Sequence, residues 1–190
     1  MRGLYCGTVR PYLYGGAVLT QPSESTTPVT RVGLKRLHVG ELVRTDALLR
    51  GCGLLRSLDE LGLARLLGDA VARRYPEGAL LRRDADAGER PLLLILSGEV
   101  MLLAGADGAA AEVGVARKGE VLGEEGLLAA DGASPRLHAV AQGPVDVAEL
   151  PLEAVRGAAA AIPALALYLR SVHGARAAAC NEMSDFLGRW

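Results

Sequence analysis

A mainly β domain, an antiparallel sandwich or barrel with helices before and after it, is the fold class this sequence predicts. Three observations carry the prediction. Short apolar runs recur between Ala79 and Leu150 with glycine-bearing corners between them, a helix-start signal at Ser57–Glu60 precedes them, and a long helical stripe follows Pro163. Short runs at regular spacing with turn residues at each corner are the signature of a small sandwich or barrel.

The elements follow in order. Residues 1–44 hold six basic and two acidic side chains, three of the five tyrosines, and the run Gln21-Pro22-Ser23-Glu24-Ser25-Thr26-Thr27-Pro28. Such a composition buries little apolar surface, which predicts a flexible, solvated amino-terminal extension. Ser57-Leu58-Asp59-Glu60 has the form of a capping box, in which Ser57 and Glu60 satisfy free N–H groups at a helix start. Leu61, Ala64, Leu67 and Val71 follow at helical spacing, so a helix is expected over about 58–70.

Strands are expected at Ala79–Leu81, Leu92–Leu96, Val100–Leu103, Val113–Ala116, Leu137–Ala141 and Val145–Leu150. Turns are expected at Asp86-Ala87-Gly88, Ser97-Gly98, Gly105-Ala106-Asp107-Gly108 and Gln142-Gly143-Pro144. A short helix is expected over Leu152–Ala160. A longer one opens at Pro163, whose missing N–H is harmless in a first turn, and runs toward Leu187. Along it Leu165, Tyr168, Val172, Ala175 and Ala179 recur at steps of three and four, extended by Met183 and Phe186. That seam suits packing on the barrel or on a second copy of the chain.

Composition narrows the function. A net charge of −1 gives no polyanion footprint, and one Phe and one Trp supply no stacking platform for single-stranded nucleic acid. Cys6, Cys52 and Cys180 are odd in number and far apart, which fits neither a disulfide framework nor a metal site and favours a reducing compartment. No apolar run reaches the ~20 residues of a membrane span, and Pro11, Gly15, Gly16 and Pro22 interrupt any leader-like segment. A cytoplasmic location without membrane contact is the expectation.

The most informative stretch is Gly119-Glu120-Val121-Leu122-Gly123-Glu124-Glu125-Gly126-Leu127-Leu128, closed by Ser134-Pro135-Arg136. It pairs an acid at the mouth of a short apolar turn with an arginine returning after a small-residue loop. A ligand carrying both a sugar hydroxyl and a phosphate needs that pair. The acid accepts from the hydroxyl, and the guanidinium forks onto phosphate oxygens. A helical turn over 124–129 would add backbone N–H donors for an anion.

The order G-E-x-G-L-L…P-R resembles the phosphate-binding cassette of cyclic nucleotide-binding domains, usually close to G-E-x-A-L-L-x-x-x-P-R-x-A. Two more stretches are similar to that family, of the catabolite activator and protein kinase A regulatory-subunit type. Leu54-Leu55-Arg56-Ser57-Leu58-Asp59-Glu60 resembles its leading helix. Ala85-Asp86-Ala87-Gly88-Glu89 with Leu93-Leu94-Ile95-Leu96-Ser97-Gly98-Glu99-Val100 resembles its G-D-x-G-D…I-x-S-G-x-V region.

The resemblance implies an antiparallel jelly-roll barrel over 45–160 and an output helix over 161–190. It implies that Gly123 lets the ligand approach the backbone, Glu124 accepts from the ribose 2′-hydroxyl, and the N–H groups of Gly126 and its neighbour face the cyclic phosphate. Leu127 would pack the cassette on the long helix, and Arg136 would neutralise the phosphate. No cofactor is implied, only a cyclic nucleotide ligand. Glu125 departs from the pattern by adding negative charge beside that phosphate. Leu137 replaces a small or hydroxyl residue, so a guanine-selective threonine-type contact is lost and cyclic AMP is favoured over cyclic GMP. The loop before Arg136 is also two or three residues longer than usual.

Two readings stay open: a sensor that acts on a protein partner or a homodimer through its last helix, and a degenerate fold kept as a protein-interaction scaffold. Surface pairing of Glu124 with Arg136 is the bland alternative for those two residues. Direct DNA binding is not expected, because residues 181–190 cannot hold a helix-turn-helix. An enzyme is not expected either. His38, His138 and His173 do not cluster as a cupin metal site needs, and no Ser-His-Asp signature or Walker loop appears. His138 reads as a barrel-face residue and His173 as a solvent-facing one.

Overall fold

A computed structural model of the chain describes residues 51–82, 90–105, 111–128 and 137–187. In chain order these form helix α1 (Glu60–Gly68), strands β1 (Val71–Tyr75), β2 (Leu80–Arg82), β3 (Leu92–Ser97), β4 (Glu99–Ala104), β5 (Ala111–Arg117) and β6 (Val121–Leu122). The short helix α2 (Glu125–Leu128), strands β7 (Leu137–Ala141) and β8 (Val145–Leu150), and helices α3 (Leu152–Ala161) and α4 (Pro163–Leu187) follow. The expected extension over 1–44, Cys6 and His38, and the turns at 86–88 and 106–108 lie outside the described residues.

The strands make two four-stranded antiparallel sheets, ordered β1-β8-β3-β6 and β2-β7-β4-β5. Apart from the β4–β5 hairpin, sequence neighbours are split between the sheets, so the chain crosses repeatedly from one to the other, as in a jelly roll. Strand β3 explains why its sequence is an unbroken apolar run. Leu92 and Leu94 point into a core shared with the helices, while Leu93 and Ile95 point into the barrel interior. A strand covered on both faces has no polar side to alternate. Full burial of each such side chain contributes roughly 1.5–3 kcal/mol.

The barrel interior is closed by Leu81, Val100, Leu102, Leu122, Val145 and Val147. The outer core joins Leu54, Leu55 and Leu66 to Leu150 and Val155, and to Leu165 and Leu169 of α4. Through this core the start of the long helix packs on the sheet that carries β6, and the helix also runs against β4 and β5 of the other sheet. Gly53 leaves room for the ring of Tyr168, and burial pushes that phenol up to about 12.

Three expectations are corrected. The α1 cap is Asp59, not Ser57: its Oδ1 accepts from the Gly62 amide at 2.7 Å. Residues before it are already tied in turns, with the Arg56 amide bonded to the Cys52 carbonyl and the Leu58 amide to Leu55. Val71 does not continue the helix but begins β1, pairing with Glu149 of β8. Along α4 the buried line is Leu165, Leu169 and Cys180, while Ala175 is exposed and Tyr168 and Val172 are half-buried. The inward stripe therefore runs one position later than the sequence seam.

Helices α3 and α4 meet at a bend of 119°. Ile162 takes extended backbone there, as a residue preceding proline prefers. Among the described residues no single helix is long and apolar enough to cross a membrane. Cys52 and Cys180 are free and buried. His138 stands opposite Leu103 on β7, and His173 is half-buried rather than solvent-facing.

Candidate functional site

The cassette hangs from β6, which pairs with β3 through Leu93↔Leu122 and Leu94↔Val121. Reciprocal bonds at 2.9 Å, Ile95 amide to Glu120 carbonyl and Gly119 amide to Ile95 carbonyl, fix its start. Immediately after β6, Gly123 adopts φ +95°, a left-handed conformation that side-chain-bearing residues rarely take. The chain reverses there into α2.

That reversal drives Glu124 inward, where it is 1% exposed. A buried carboxylate is costly unless paired. Its partner is Arg176 of α4, whose Nη1 donates to Oε2 at 2.5 Å, while Nη2 donates to the Val121 carbonyl at 2.6 Å. One guanidinium thus clamps the cassette acid and the strand leading to it onto the long helix. Burial raises the Glu124 carboxyl above its ordinary range; the positive charge of Arg176 works against that rise, and the neighbouring Glu125 adds to it.

Glu125 faces elsewhere. Its Oε1 accepts from Nε of Arg82, at the end of β2, at 3.2 Å. Nη1 of Arg82 also reaches the Pro91 carbonyl at 3.5 Å. The same guanidinium lies against Gly123 so closely that a β-carbon there would overlap it. Space kept open by the glycine is therefore filled by an arginine of the same chain.

The amides of Gly126 and Leu127 are spent inside the turn, donating to the carbonyls of Gly123 at 3.3 Å and Glu124 at 3.0 Å. Leu127 is half-buried against the core that includes Leu165 and Leu169. Leu137 opens β7 opposite Ala104 and packs toward the barrel interior. Arg136, with Ser134 and Pro135, lies outside the described residues. The structure thus brings together Gly123, Glu124, Glu125, Gly126 and Leu127. It sets Glu124 in the interior, bonded to Arg176.

Sequence reading missed Arg82 and Arg176. A signal for Arg176 was present: a charged residue standing within the inward stripe of an otherwise apolar helix face. Arg82 gave none, because a charge after two leucines reads as an ordinary strand end. Among the described residues no group of three or more His, Cys, Asp or Glu side chains is placed to hold a metal ion.

A jelly roll with an acid-bearing turn after its sixth strand, closed by a long helix, is the build of cyclic nucleotide-binding domains. Residues 72–161 match the family model described as the cyclic nucleotide-binding domain. In fold the chain is similar to protein kinase A regulatory subunits and to regulators of the catabolite activator type.

The regulatory domain of Toxoplasma gondii PKA, solved with cAMP, is 26% identical, with 62% of this chain and 44% of that one covered and a TM-score of 0.53. The catabolite activator protein of Thermus thermophilus is 25% identical, with 72% and 63% covered and a TM-score of 0.55. The sensor domain of the transcriptional regulator DNR from Pseudomonas aeruginosa shares the fold at 19% identity, with 68% and 91% covered and a TM-score of 0.55. The chain therefore spans less than two thirds of the Toxoplasma and Thermus chains. No curated protein matches it significantly.

Proposed function

We propose that this chain is a regulatory sensor, without catalysis of its own, that binds a cyclic nucleotide in the cassette from Gly123 to Leu137 and signals through α4. The observation that carries the reading is the buried carboxylate of Glu124 held by a helix arginine. A ribose hydroxyl that donates to this acid competes with Arg176 for it. Ligand occupancy and helix position then become one equilibrium, and a ligand shifts it by its differential affinity for the two arrangements. Arg136 supplies the charge for the phosphate, and loss of its charge-assisted bonds costs roughly 30-fold or more in affinity. Cyclic AMP suits the site better than cyclic GMP, because Leu137 offers no hydroxyl to a guanine.

In this reading residues 45–160 are the binding domain of a cytoplasmic protein. The helical segment 161–190 is the output, presented to a protein partner or to a second copy, with no direct contact to DNA or membrane. The test is thermal unfolding of the full chain with cyclic AMP and cyclic GMP. At a hundred times its dissociation constant the ligand stabilises the fold by ~2.7 kcal/mol, and cyclic AMP gives the larger shift. One observation favours a second reading, a domain kept as a protein-interaction scaffold. Glu124, Glu125 and the amides of Gly126 and Leu127 all have partners within the chain. No shift with either nucleotide at millimolar concentration would select that reading.

A further inference from the structure

The pair Arg82–Glu125 carries an inference that rests on the sensor reading and deepens it. The Arg82 side chain is 12% exposed and Glu125 is 33% exposed. Arg82 lies on the bare backbone of Gly123, at the point where the cassette turns, with its guanidinium against the cassette. Its acceptors among the described residues are the Glu125 carboxylate at 3.2 Å and the Pro91 carbonyl at 3.5 Å. A planar guanidinium has five N–H donors, more than these two bonds to the described residues use.

A carboxylate offers a guanidinium the same paired oxygens that a phosphate does. Glu125 thus occupies an anion position beside the cassette. It also has an exit to water that Arg82, enclosed against Gly123, does not have.

We propose that Arg82 is a second cationic contact for the ligand's phosphate, and that Glu125 is its exchangeable internal counter-ion. In the unliganded chain the carboxylate neutralises Arg82 and holds it in place. An arriving phosphate oxygen takes over the Nε donor, and Glu125 turns outward. The negative charge that the sequence sets beside the phosphate is in this arrangement a competitor that keeps the site closed to weaker anions.

The experiment is titration calorimetry of cyclic AMP into the full chain and into Arg82→Gln, Arg82→Lys and Glu125→Gln. Arg82→Gln is expected to weaken binding about tenfold or more, the scale of one charge-assisted bond, and Arg82→Lys to restore part of the loss. Glu125→Gln is expected to tighten binding several-fold, an effect that a purely structural ion pair would not produce. Glu125→Gln that binds no better than the parent overturns the proposal, and this arm decides it even where Arg82→Gln fails to fold. Arg82→Gln that binds as the parent does overturns it equally. Those outcomes leave the sensor reading intact. Absence of binding by both the parent and Glu125→Gln removes the sensor reading and this inference together.

Discussion

Glu124 shows what one residue can and cannot announce. Its place after a glycine in the motif marked it as a polar contact, but its partner Arg176 lies 52 positions away. Arg82 lies 43 positions from Glu125. No local pattern links such residues, because the barrel and the helix that join them exist only after folding. The buried acid also makes a pH prediction. Burial lifts the Glu124 carboxyl above its ordinary range, so the folded chain binds this proton more tightly than the unfolded one. Stability from this group is greatest below the ordinary carboxylate value and falls as pH rises through the raised one.

Glu124→Gln removes that decline. Denaturant unfolding of parent and variant across about pH 4–7, the carboxylate range and above, should show the difference moving in the variant's favour as pH rises. Parallel profiles would contradict the assignment. Asp146 runs the other way, since hydrogen bonds from Arg74 hold it below the usual range and its contribution is lost on acidification. It is common to both proteins and cancels in the difference. Gly123→Ala meets two penalties at once, positive φ and overlap with Arg82. Loss of about 1 kcal/mol or more, read from the same unfolding curves, is the expectation.

At the scale of elements, strands β7 and β8 and helix α4 coincide with their expected limits, because their apolar patterns are long and bounded by turn residues or proline. Strand β1, Val71-Ala72-Arg73-Arg74-Tyr75, was hidden by its arginines. They point to opposite faces of this edge strand, yet both stay exposed and pair with β8, Arg74 with Asp146 and Arg73 with Glu149, so the stretch lacks an apolar signature. Strand β6 has two residues, too short for any period.

Helix α4 supplies the next prediction. Arg176→Met leaves Glu124 buried without its partner, a change that typically costs about 3–5 kcal/mol, and pairing it with Glu124→Leu should recover much of the loss. Additive losses in the double-mutant cycle would mean that the two residues are not coupled. Leu127→Ala, trimmed where the cassette meets the core of Leu165 and Leu169, is expected to keep nucleotide affinity and blunt the response of α4 to it. Solvent exchange reads the response, and a variant that matches the parent in both properties would rule out Leu127 as the relay.

For the molecule as a whole, the order of helix, barrel, cassette and long helix was legible because each motif falls at its place in one sequence of elements. The jelly-roll sheet order was legible only through resemblance, since no local signal states that β8 lies between β1 and β3. What the motif order did not convey is that the cassette is closed by the chain's own charges, Arg176 on Glu124 and Arg82 on Glu125. In the proposed sensor, that closure ties the cassette to the long helix, and a nucleotide would displace these internal partners as it binds.

The most direct test is amide hydrogen exchange of the full chain with and without saturating cyclic AMP, followed over residues 163–187. Slower exchange in the cassette together with faster exchange around Arg176 is expected, as the ligand takes Glu124 from the helix. Nucleotide that protects the cassette while the helix exchanges as before would contradict the coupling, and a chain whose exchange ignores the nucleotide altogether would contradict the sensor itself.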